Sequence, residues 1–162
     1  MYSLYVIEPK NLVMTTIAYR NGIMAADSQE SDEEYLLKTQ CQKLWVRNKC
    51  LIGIAKDSYA GLMFIEWITG TLTTDAFENR ILATDDDFEA LIVNSTGEIY
   101  TYNRYLVACF HDKPEFFAIG SGSKCALIAM EAGMSAEEAV KIACKYDLYS
   151  GGDIKTIRLD EI

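Results

Sequence analysis

The chain has 162 residues, 50% of them hydrophobic, and two prolines, a composition that can form one domain with a sizeable buried core. Its formal net charge of −9 argues against nucleic acid and anionic membrane surfaces as partners. No apolar run reaches the roughly 18 residues that a membrane span needs, and the N-terminus lacks the basic start and long apolar stretch of a signal peptide. We therefore expect a soluble protein of the cytoplasm with no membrane partner.

The first structural signal along the chain is a β-hairpin around Asn21-Gly22. Both central residues of a two-residue type I′ turn need φ > 0, and Asn-Gly between two apolar runs is the strongest short-range signal for such a turn. The turn fixes the register of the two strands. The predicted pairs, from the turn outward, are Arg20–Ile23, Tyr19–Met24, Ala18–Ala25, Ile17–Ala26, Thr16–Asp27 and Thr15–Ser28. A carboxylate is thus expected one residue pair away from Thr15.

Thr15 has the chemistry of a nucleophile if its hydroxyl has an adjacent base. The free α-amine of the same residue can serve as that base when the threonine is first in its chain, because the amine titrates at about 8. Residues 1–14 precede Thr15 here, and within a chain its nitrogen is an amide that cannot accept a proton. The sequence therefore predicts a precursor. An ordinary edge hairpin that ends in a solvated aspartate is the alternative interpretation of the same residues.

Beyond the hairpin, strand and helix signals alternate without internal repeats. We predict a charged connector over 29–38, strands over 41–46 and 50–55 around a turn at 47–49, and a helix from Asp57 or Ser58 to about Thr69. A polar loop with at most a short helix follows over 71–87, then a hairpin of strands 88–95 and 98–103, a strand over 115–119 and a helix over 124–133. The last elements are a helix with a capping box at Ser135–Glu138 and a strand over 153–159.

The order of these elements predicts an α+β domain in which helices cover the faces of sheets. On the last helix we expect one apolar stripe of Ala139, Ile142, Ala143 and Tyr146 to face the sheet.

Metal and histidine chemistry are poorly supported by the composition. Five cysteines, with no C-x-x-C pair among them, indicate free thiols in a reducing compartment. The one histidine, His111, has a single neighbouring aspartate, which is too few ligands for a zinc site. We expect no metal, no cofactor and no Ser-His-Asp triad, and therefore a general base other than histidine.

Several segments, in the same order and at comparable separations, resemble the proteasome β subunits and the bacterial proteasome-like peptidase HslV, which are N-terminal nucleophile hydrolases. They are M-T-T-I-A-Y-R-N-G-I-M-A-A-D-S from Met14 to Ser28, Gln42-Lys43-Leu44, F-A-I-G-S-G-S from Phe117 to Ser123, and Y-D-L-Y-S-G-G from Tyr146 to Gly152. The resemblance implies a four-layer αββα sandwich, here abbreviated, over residues 15–162. Residues 1–14 would be an N-terminal extension or propeptide.

The resemblance also implies a threonine-type endopeptidase. Thr15 would be the nucleophile through its Oγ and, once exposed, the base through its α-amine. Asp27 would hold Lys43, whose positive charge would lower the proton affinity of that amine. The oxyanion hole would be a backbone N–H just after the strand that ends at Ala55.

Three further residues complete the implied site. Ser121, Asp147 and Ser150 would form the hydrogen-bond shell that orients the amine and the attacking water. The resemblance further implies a homo-oligomer, in some members a ring, with an ATP-driven unfoldase as partner and peptide or unfolded protein as substrate.

The chain departs from the family pattern at several points. Its hairpin is shorter than that of HslV, and Lys56-Asp57 stands where the family usually has Gly-Gly, so that a bulky cation could obstruct substrate there. Residues 71–87 are too few for the long second helix of the ring-forming members, which argues against a ring. Met14 replaces the glycine that commonly precedes the threonine of self-processing subunits.

Two origins of residues 1–14 and three functions stay open at this stage. Met14 could be the true translation start, trimmed to expose Thr15, or residues 1–14 could be a propeptide removed by attack of Thr15 on its own preceding carbonyl. Besides a peptidase, the residues allow a catalytically silent, proteasome-like structural or interaction subunit that keeps its extension. An amidase acting on a small amide is the third interpretation.

Overall fold

Strands in two antiparallel sheets and four helices make up most of the computed structural model, which describes residues 15–30 and 39–162. The strands are β1 (Thr16–Arg20), β2 (Ile23–Ala26), β3 (Gln29–Glu30), β4 (Thr39–Gln40), β5 (Leu44–Arg47), β6 (Cys50–Lys56), β7 (Phe88–Asn94), β8 (Ile99–Asn103), β9 (Cys109–His111), β10 (Phe116–Gly120) and β11 (Lys155–Arg158). The helices are α1 (Ser58–Ile68), α2 (Thr74–Ile81), α3 (Ser123–Glu131) and α4 (Ala136–Tyr146), and a 3₁₀ turn follows at Leu159–Glu161.

The first sheet has the strand order β10-β1-β2-β11, with the predicted hairpin at its centre. Asn21 and Gly22 have φ of 51° and 77°, as the type I′ turn requires. The ladder has the predicted register from the turn out to Ile17 and Ala26, and the Asp27 N–H donates to the Thr16 carbonyl at 3.3 Å. The hairpin prediction is confirmed over these pairs.

The second sheet has the strand order β5-β6-β7-β8-β9, and β3 and β4 form a separate two-stranded ladder. The predicted turn between β5 and β6 is present, with Asn48 and Lys49 both at positive φ. The next hairpin, β7 to β8, turns at Thr96-Gly97 as predicted, and Gly97 has φ +79°. The two faces of β6 are buried in different apolar layers, Leu51 and Ala55 in one and Ile52 and Ile54 in the other, which is why its sequence is almost continuously apolar.

Three apolar layers separate the two sheets and their helices. Between the sheets, Ile17 and Met24 pack against Leu51 and Leu91 of the second sheet. On the outer face of the first sheet the contact is made by small residues, which let α3 and α4 approach closely. They are Ala18, Ala25, Ala118, Ala126, Ala129 and Ala139.

On the outer face of the second sheet, α1 and α2 pack through aromatic rings. The Phe64 ring centroid lies 4.9 Å from that of Phe88, and Phe77 packs on Phe88 edge-on at 6.1 Å. The molecule therefore has four layers in the order α, β, β, α, and the predicted fold class is confirmed. None of the described helices is long and apolar enough to cross a membrane.

The structure corrects the sequence prediction at a few places. Tyr146 is 75% exposed, so the apolar stripe of α4 ends at Ala143 with Ile142 partly buried. Residues 41–43 are not strand, and β5 begins at Leu44. Strand β9 was not predicted, because its three residues carry no alternating pattern. The connector predicted over 29–38 lies mostly outside the described residues.

Candidate active site

Thr15 lies at the start of β1, where its backbone is pressed against the end of β10. It is 1% exposed. Gly120, the last residue of β10, has φ +91°, and a Cβ there would lie 1.8 Å from the Thr15 carbonyl oxygen. The Ser121 Oγ lies 3.5 Å from the same oxygen. Glycine is thus required at residue 120 both by the left-handed conformation and by the close approach of Thr15.

Asp27 is a buried carboxylate with three donors. Its Oδ1 accepts from the Thr16 N–H at 2.9 Å, and its Oδ2 accepts from Lys43 Nζ at 3.1 Å and from the Gly151 N–H at 3.0 Å. Lys43 Nζ also donates to the Gln29 carbonyl at 2.6 Å. The side chains of Asp27 and Lys43 are 0% and 5% exposed. A desolvated charge pair of this kind persists only where other hydrogen bonds satisfy its remaining donors and acceptors, as they do here.

A second polar chain runs from Ser121 to Thr16. The hydroxyls of Ser121 and Ser150 both donate to Asp147 Oδ2 at 2.5 Å, and Ser150 Oγ lies 2.7 Å from Thr16 Oγ1. Because Ser150 has one proton and gives it to Asp147, the Thr16 hydroxyl must be the donor to Ser150. The chain joins the C-terminus of α4 to the start of β1.

All six residues that the sequence singled out lie in this one cluster. Thr15 contacts Ser121, the polar chain leads through Asp147 and Ser150 to Thr16, and the Thr16 backbone leads to Asp27 and Lys43. The structure thus brings the six together, while their roles in catalysis stay predictions. Sequence reasoning missed Thr16 and Gly151 as partners. The Ser-Gly-Gly segment of residues 150–152 was the only signal for Gly151.

A cavity of about 250 Å³ opens beside Thr15. Lys43 lines it from just before β5, and Trp45, Ile54 and Leu62 supply mostly apolar walls. A threonine, a buried cation and an apolar pocket therefore share one cleft, and such a mix of apolar walls with a few polar groups is typical of ligand sites.

Lys56 ends β6 at the edge of this cavity. Its φ is +70°, a left-handed conformation that costs a residue with a side chain about 1–2 kcal/mol. Its Nζ forms an ion pair with Asp87 at 2.8 Å, and Asp87 does not line the cavity. The left-handed conformation agrees with the expectation that glycine is usual at this place in related chains.

Cys144 is a half-buried thiol of α4 close to the same charges. Its pKa is raised to about 11, chiefly by burial and then by the negative charge of Asp27, which Lys43 partly opposes. The thiol is therefore neutral at neutral pH and does not compete with a hydroxyl nucleophile. All five cysteines are free, as the odd number and their spacing predicted.

Comparison with solved structures shows that the chain has the fold of HslV. No family model and no curated protein sequence matches the chain. Among solved structures, eukaryotic HslV from Trypanosoma brucei is similar with a TM-score of 0.62 and 18% identity, over 90% of this chain and 99% of the HslV chain. BPH from Thiobacillus denitrificans is similar with a TM-score of 0.58 and 18% identity, over 90% of this chain and 98% of that chain, both alone and in complex with epoxomicin. At this identity the likeness shows the fold.

Proposed function

We propose that the chain is a threonine-type peptidase of the HslV and proteasome kind, active once Thr15 is its first residue. The observation that carries the proposal is the buried Asp27–Lys43 pair, which is bonded to the backbone of Thr16 and faces the cavity beside Thr15. A purely structural sheet edge does not need a desolvated cation next to a threonine, because such a pair is costly to bury. The likeness to HslV in fold supports the same conclusion.

The proposed reaction is an acyl transfer. The free α-amine of Thr15 takes the Oγ proton, and Oγ attacks the carbonyl carbon of a peptide bond to form a tetrahedral oxyanion. When this collapses, the C–N bond breaks, the ammonium proton passes to the departing amine, and an ester to Thr15 remains. Water, deprotonated by the same amine, then hydrolyses the ester. Lys43 favours the neutral amine by charge repulsion, and Ser121, Asp147 and Ser150 orient it.

The backbone of Lys56 is the proposed oxyanion donor. The Ile54 N–H donates to the Lys43 carbonyl at 2.9 Å, and N–H groups two residues apart in a strand point to the same side. The Lys56 N–H therefore points toward the Lys43 side, beyond the end of β5, where the cavity lies. The Asp57 N–H is occupied by the Asp87 carbonyl at 3.0 Å.

Peptide or unfolded protein is the proposed substrate. Self-assembly and an unfoldase partner are proposals that rest on the sequence resemblance. A cytoplasmic location is a proposal that rests on the cysteines, which indicate a reducing compartment. Helix α2 has eight residues, whereas a long helix is expected there in ring-forming members. We therefore propose a homo-oligomer and do not propose that it is a ring.

The decisive test is the intact mass of protein expressed from Met1 and, separately, from Met14, before and after epoxomicin. This epoxyketone is directed at an N-terminal threonine, so labelling requires Thr15 to be the first residue. We expect a species that begins at Thr15 and gains one inhibitor mass. Thr15→Ala abolishes the gain and Lys43→Met slows it strongly, whereas Lys141→Met, on the exposed side of α4, leaves it unchanged.

Other outcomes point to the other functions. Full-length material that persists, together with trimmed material that stays unmodified, would contradict the peptidase and favour a silent structural subunit. Turnover of short acyl-amides without cleavage of unfolded proteins would favour a small-amide amidase.

A further inference from the structure

A second and larger cavity, of about 450 Å³, lies on the other side of Lys56 from the Thr15 pocket. Lys56 lines both cavities, so its residue forms the boundary between them. The larger cavity is connected to the surroundings of Thr15 through Glu89. Glu89 lines it, and Glu89 Oε2 accepts from the Gly120 N–H at 3.4 Å, where Gly120 is pressed against the Thr15 carbonyl. Its volume lies within the range of about 300–1,000 Å³ that is usual for ligand pockets.

The charges around this cavity are not balanced. Its lining has three carboxylates, Asp85, Asp87 and Glu89, and two cations, Lys56 and Arg104. Asp87 is neutralised by Lys56 at 2.8 Å. Asp85 and Glu89 have no ion pair within residues 15–30 and 39–162.

Arg104 does not balance those two carboxylates. Its Nη2 is held by the carbonyls of Ile81 and Thr84, at 2.8 and 2.6 Å, so this end of the guanidinium is bound to the C-terminus of α2. The positive charge of Arg104 is thus directed at these backbone carbonyls and away from the two carboxylates. The cavity is left with two uncompensated carboxylates, one of them on a half-buried residue of β7.

The remaining walls suit a long side chain with a positive end. Tyr105 lines the cavity and is 67% exposed, and the Arg104 guanidinium carbon already lies 6.0 Å from its ring centroid, in a cation–π contact. Val107, which is 65% exposed, adds apolar surface. Lysine and arginine bury their methylene stems on apolar walls while their charged ends reach carboxylates.

We propose that this cavity binds the side chain of a lysine or arginine of the peptide substrate, close to the bond that Thr15 attacks. The peptide would run from the Thr15 pocket past Lys56, and the basic side chain would lay its methylene stem on Tyr105 and Val107 with its cation at Glu89 and Asp85. This inference rests on the proposed function, since it names the substrate class of the same cleft.

The first measurement maps cleavage sites. The processed wild-type protein digests a mixture of peptides of defined sequence, and mass spectrometry identifies each cleaved bond. We expect lysine and arginine to be enriched about tenfold at one fixed position near the cleaved bond, which corresponds to about 1.4 kcal/mol. The enrichment falls as salt rises, since the contact lies in an open cavity.

Variants assign the enrichment to the cavity. Glu89→Gln with Asp85→Asn removes both charges and keeps an acceptor for the Gly120 N–H, and we expect the enrichment to disappear. Glu89→Gln alone, the milder change, reduces it. The control pair is Glu131→Gln with Glu137→Gln, which also removes two negative charges but from exposed positions on α3 and α4. We expect this pair to leave the enrichment intact.

A second measurement does not depend on turnover. Two fluorescent hexapeptides that differ only in lysine or norleucine are titrated against the full-length chain, and binding is followed by anisotropy. We expect the lysine peptide to bind about tenfold more tightly, and the Glu89→Gln and Asp85→Asn pair to equalise the two.

The experiments distinguish a failure of this inference from a failure of the proposed peptidase function. Cleavage or epoxomicin labelling that continues without a preference for basic residues, or with a preference that the variants do not change, overturns this inference and leaves the peptidase standing. The absence of both labelling and cleavage overturns the peptidase. Equal binding of the two hexapeptides overturns the basic site in either case.

Discussion

Asp27 is the residue on which the geometry of the site depends most. Its carboxylate is fully buried and bonded to Lys43, Thr16 and Gly151, which come from three different parts of the chain. Replacing it with asparagine keeps one oxygen acceptor but leaves Lys43 buried without a counter-charge. Breaking such a pair from one side costs about 3–5 kcal/mol, so we expect Asp27→Asn to lower the free energy of unfolding by that amount in urea titrations.

Two comparison variants test the physical reason for this loss. Glu137→Gln breaks the exposed pair with Lys141 and should cost at most about 0.5 kcal/mol. The double variant Asp27→Asn with Lys43→Met removes the unpaired cation and should regain part of the loss. An Asp27→Asn cost below about 1 kcal/mol would contradict the buried ion pair.

Substitutions of Lys56 test the left-handed backbone conformation at the edge of the Thr15 cavity. The Lys56 φ of +70° is strained for any residue with a Cβ, so Lys56→Gly should be about 1 kcal/mol more stable to urea than Lys56→Ala. Both variants lack the ion pair to Asp87, and the comparison therefore isolates the conformational contribution. We expect the glycine variant also to accept epoxomicin at least as fast as the wild type, because the side chain at the edge of the Thr15 pocket is gone.

The matched control makes the same two substitutions at a helical residue, where we expect the alanine variant to be the more stable one. Lys141 lies inside α4, where glycine is less stable than alanine by about 1 kcal/mol. If glycine is the less stable choice at both positions, the left-handed conformation of residue 56 is wrong.

Among the elements, α4 has the most explicit start signal. Ser135 Oγ accepts from the Glu138 N–H at 3.2 Å, and Glu138 Oε2 accepts from the Ser135 N–H at 2.9 Å, which is the predicted capping box. We expect Ser135→Ala to lower the free energy of unfolding by about 1 kcal/mol at pH 7, since a backbone donor of the first turn loses its acceptor.

The same cap predicts a pH dependence. The Ser135 N–H, and after it the Ser135 hydroxyl, hold the pKa of Glu138 below its ordinary value of 4.5. A carboxyl whose pKa is lowered by folding stabilises the protein above the unfolded pKa, and this contribution is lost as the pH falls through the folded pKa. The stability difference between the wild type and Ser135→Ala should therefore narrow below about pH 4.5. A difference that is constant from pH 7 to pH 3 would argue against the capping carboxylate.

Local signals explain which elements could be predicted from the sequence. The Asn21-Gly22 turn fixes a register, the Asp57 side chain caps α1 as expected, and Gly133 follows α3 at φ +96°. Each of these depends on residues a few positions apart. Tyr146 was misplaced because helical periodicity does not reveal where the underlying sheet ends.

The residues of the candidate site also divide into those that the sequence could indicate and those that depend on how distant elements pack. The six residues were identified through the family resemblance, which carries long-range information, and the hairpin register alone placed Asp27 near Thr15. The donors that complete the site, Thr16 and Gly151, come together only when α4 packs on the first sheet. The strained Lys56 and the cavity beyond it depend on how β6 and β7 end, which no short pattern in the chain encodes.

At the scale of the whole molecule, the site depends on how the two sheets are stacked. Asp27 follows β2 of the first sheet and Lys43 precedes β5 of the second, so their bond spans the two sheets. The apolar layer between the sheets holds this distance. The buried residues of this layer are at most 6% exposed. A layer packed this closely transmits a loss of packing to the site.

Leu91 is the residue with which we would test that layer. It lies in β7, is 0% exposed and packs in the layer between the sheets, so Leu91→Ala should cost about 2–5 kcal/mol of unfolding free energy through lost burial and the cavity left behind. Leu148→Ala is the matched control. Its side chain is 87% exposed, and the same chemical change there should alter stability by less than about 0.5 kcal/mol.

Urea unfolding followed by circular dichroism measures both variants, and the rate of epoxomicin labelling reports on the site. Because Asp27 and Lys43 belong to different sheets, loosening the layer should weaken their contact, and we expect Leu91→Ala to label more slowly even under conditions where it is still fully folded. Equal stability losses for the two leucines would contradict the inter-sheet core. A large loss at Leu91 with unchanged labelling would mean instead that the hydrogen bonds of Asp27 hold the site together without help from the packing of the two sheets.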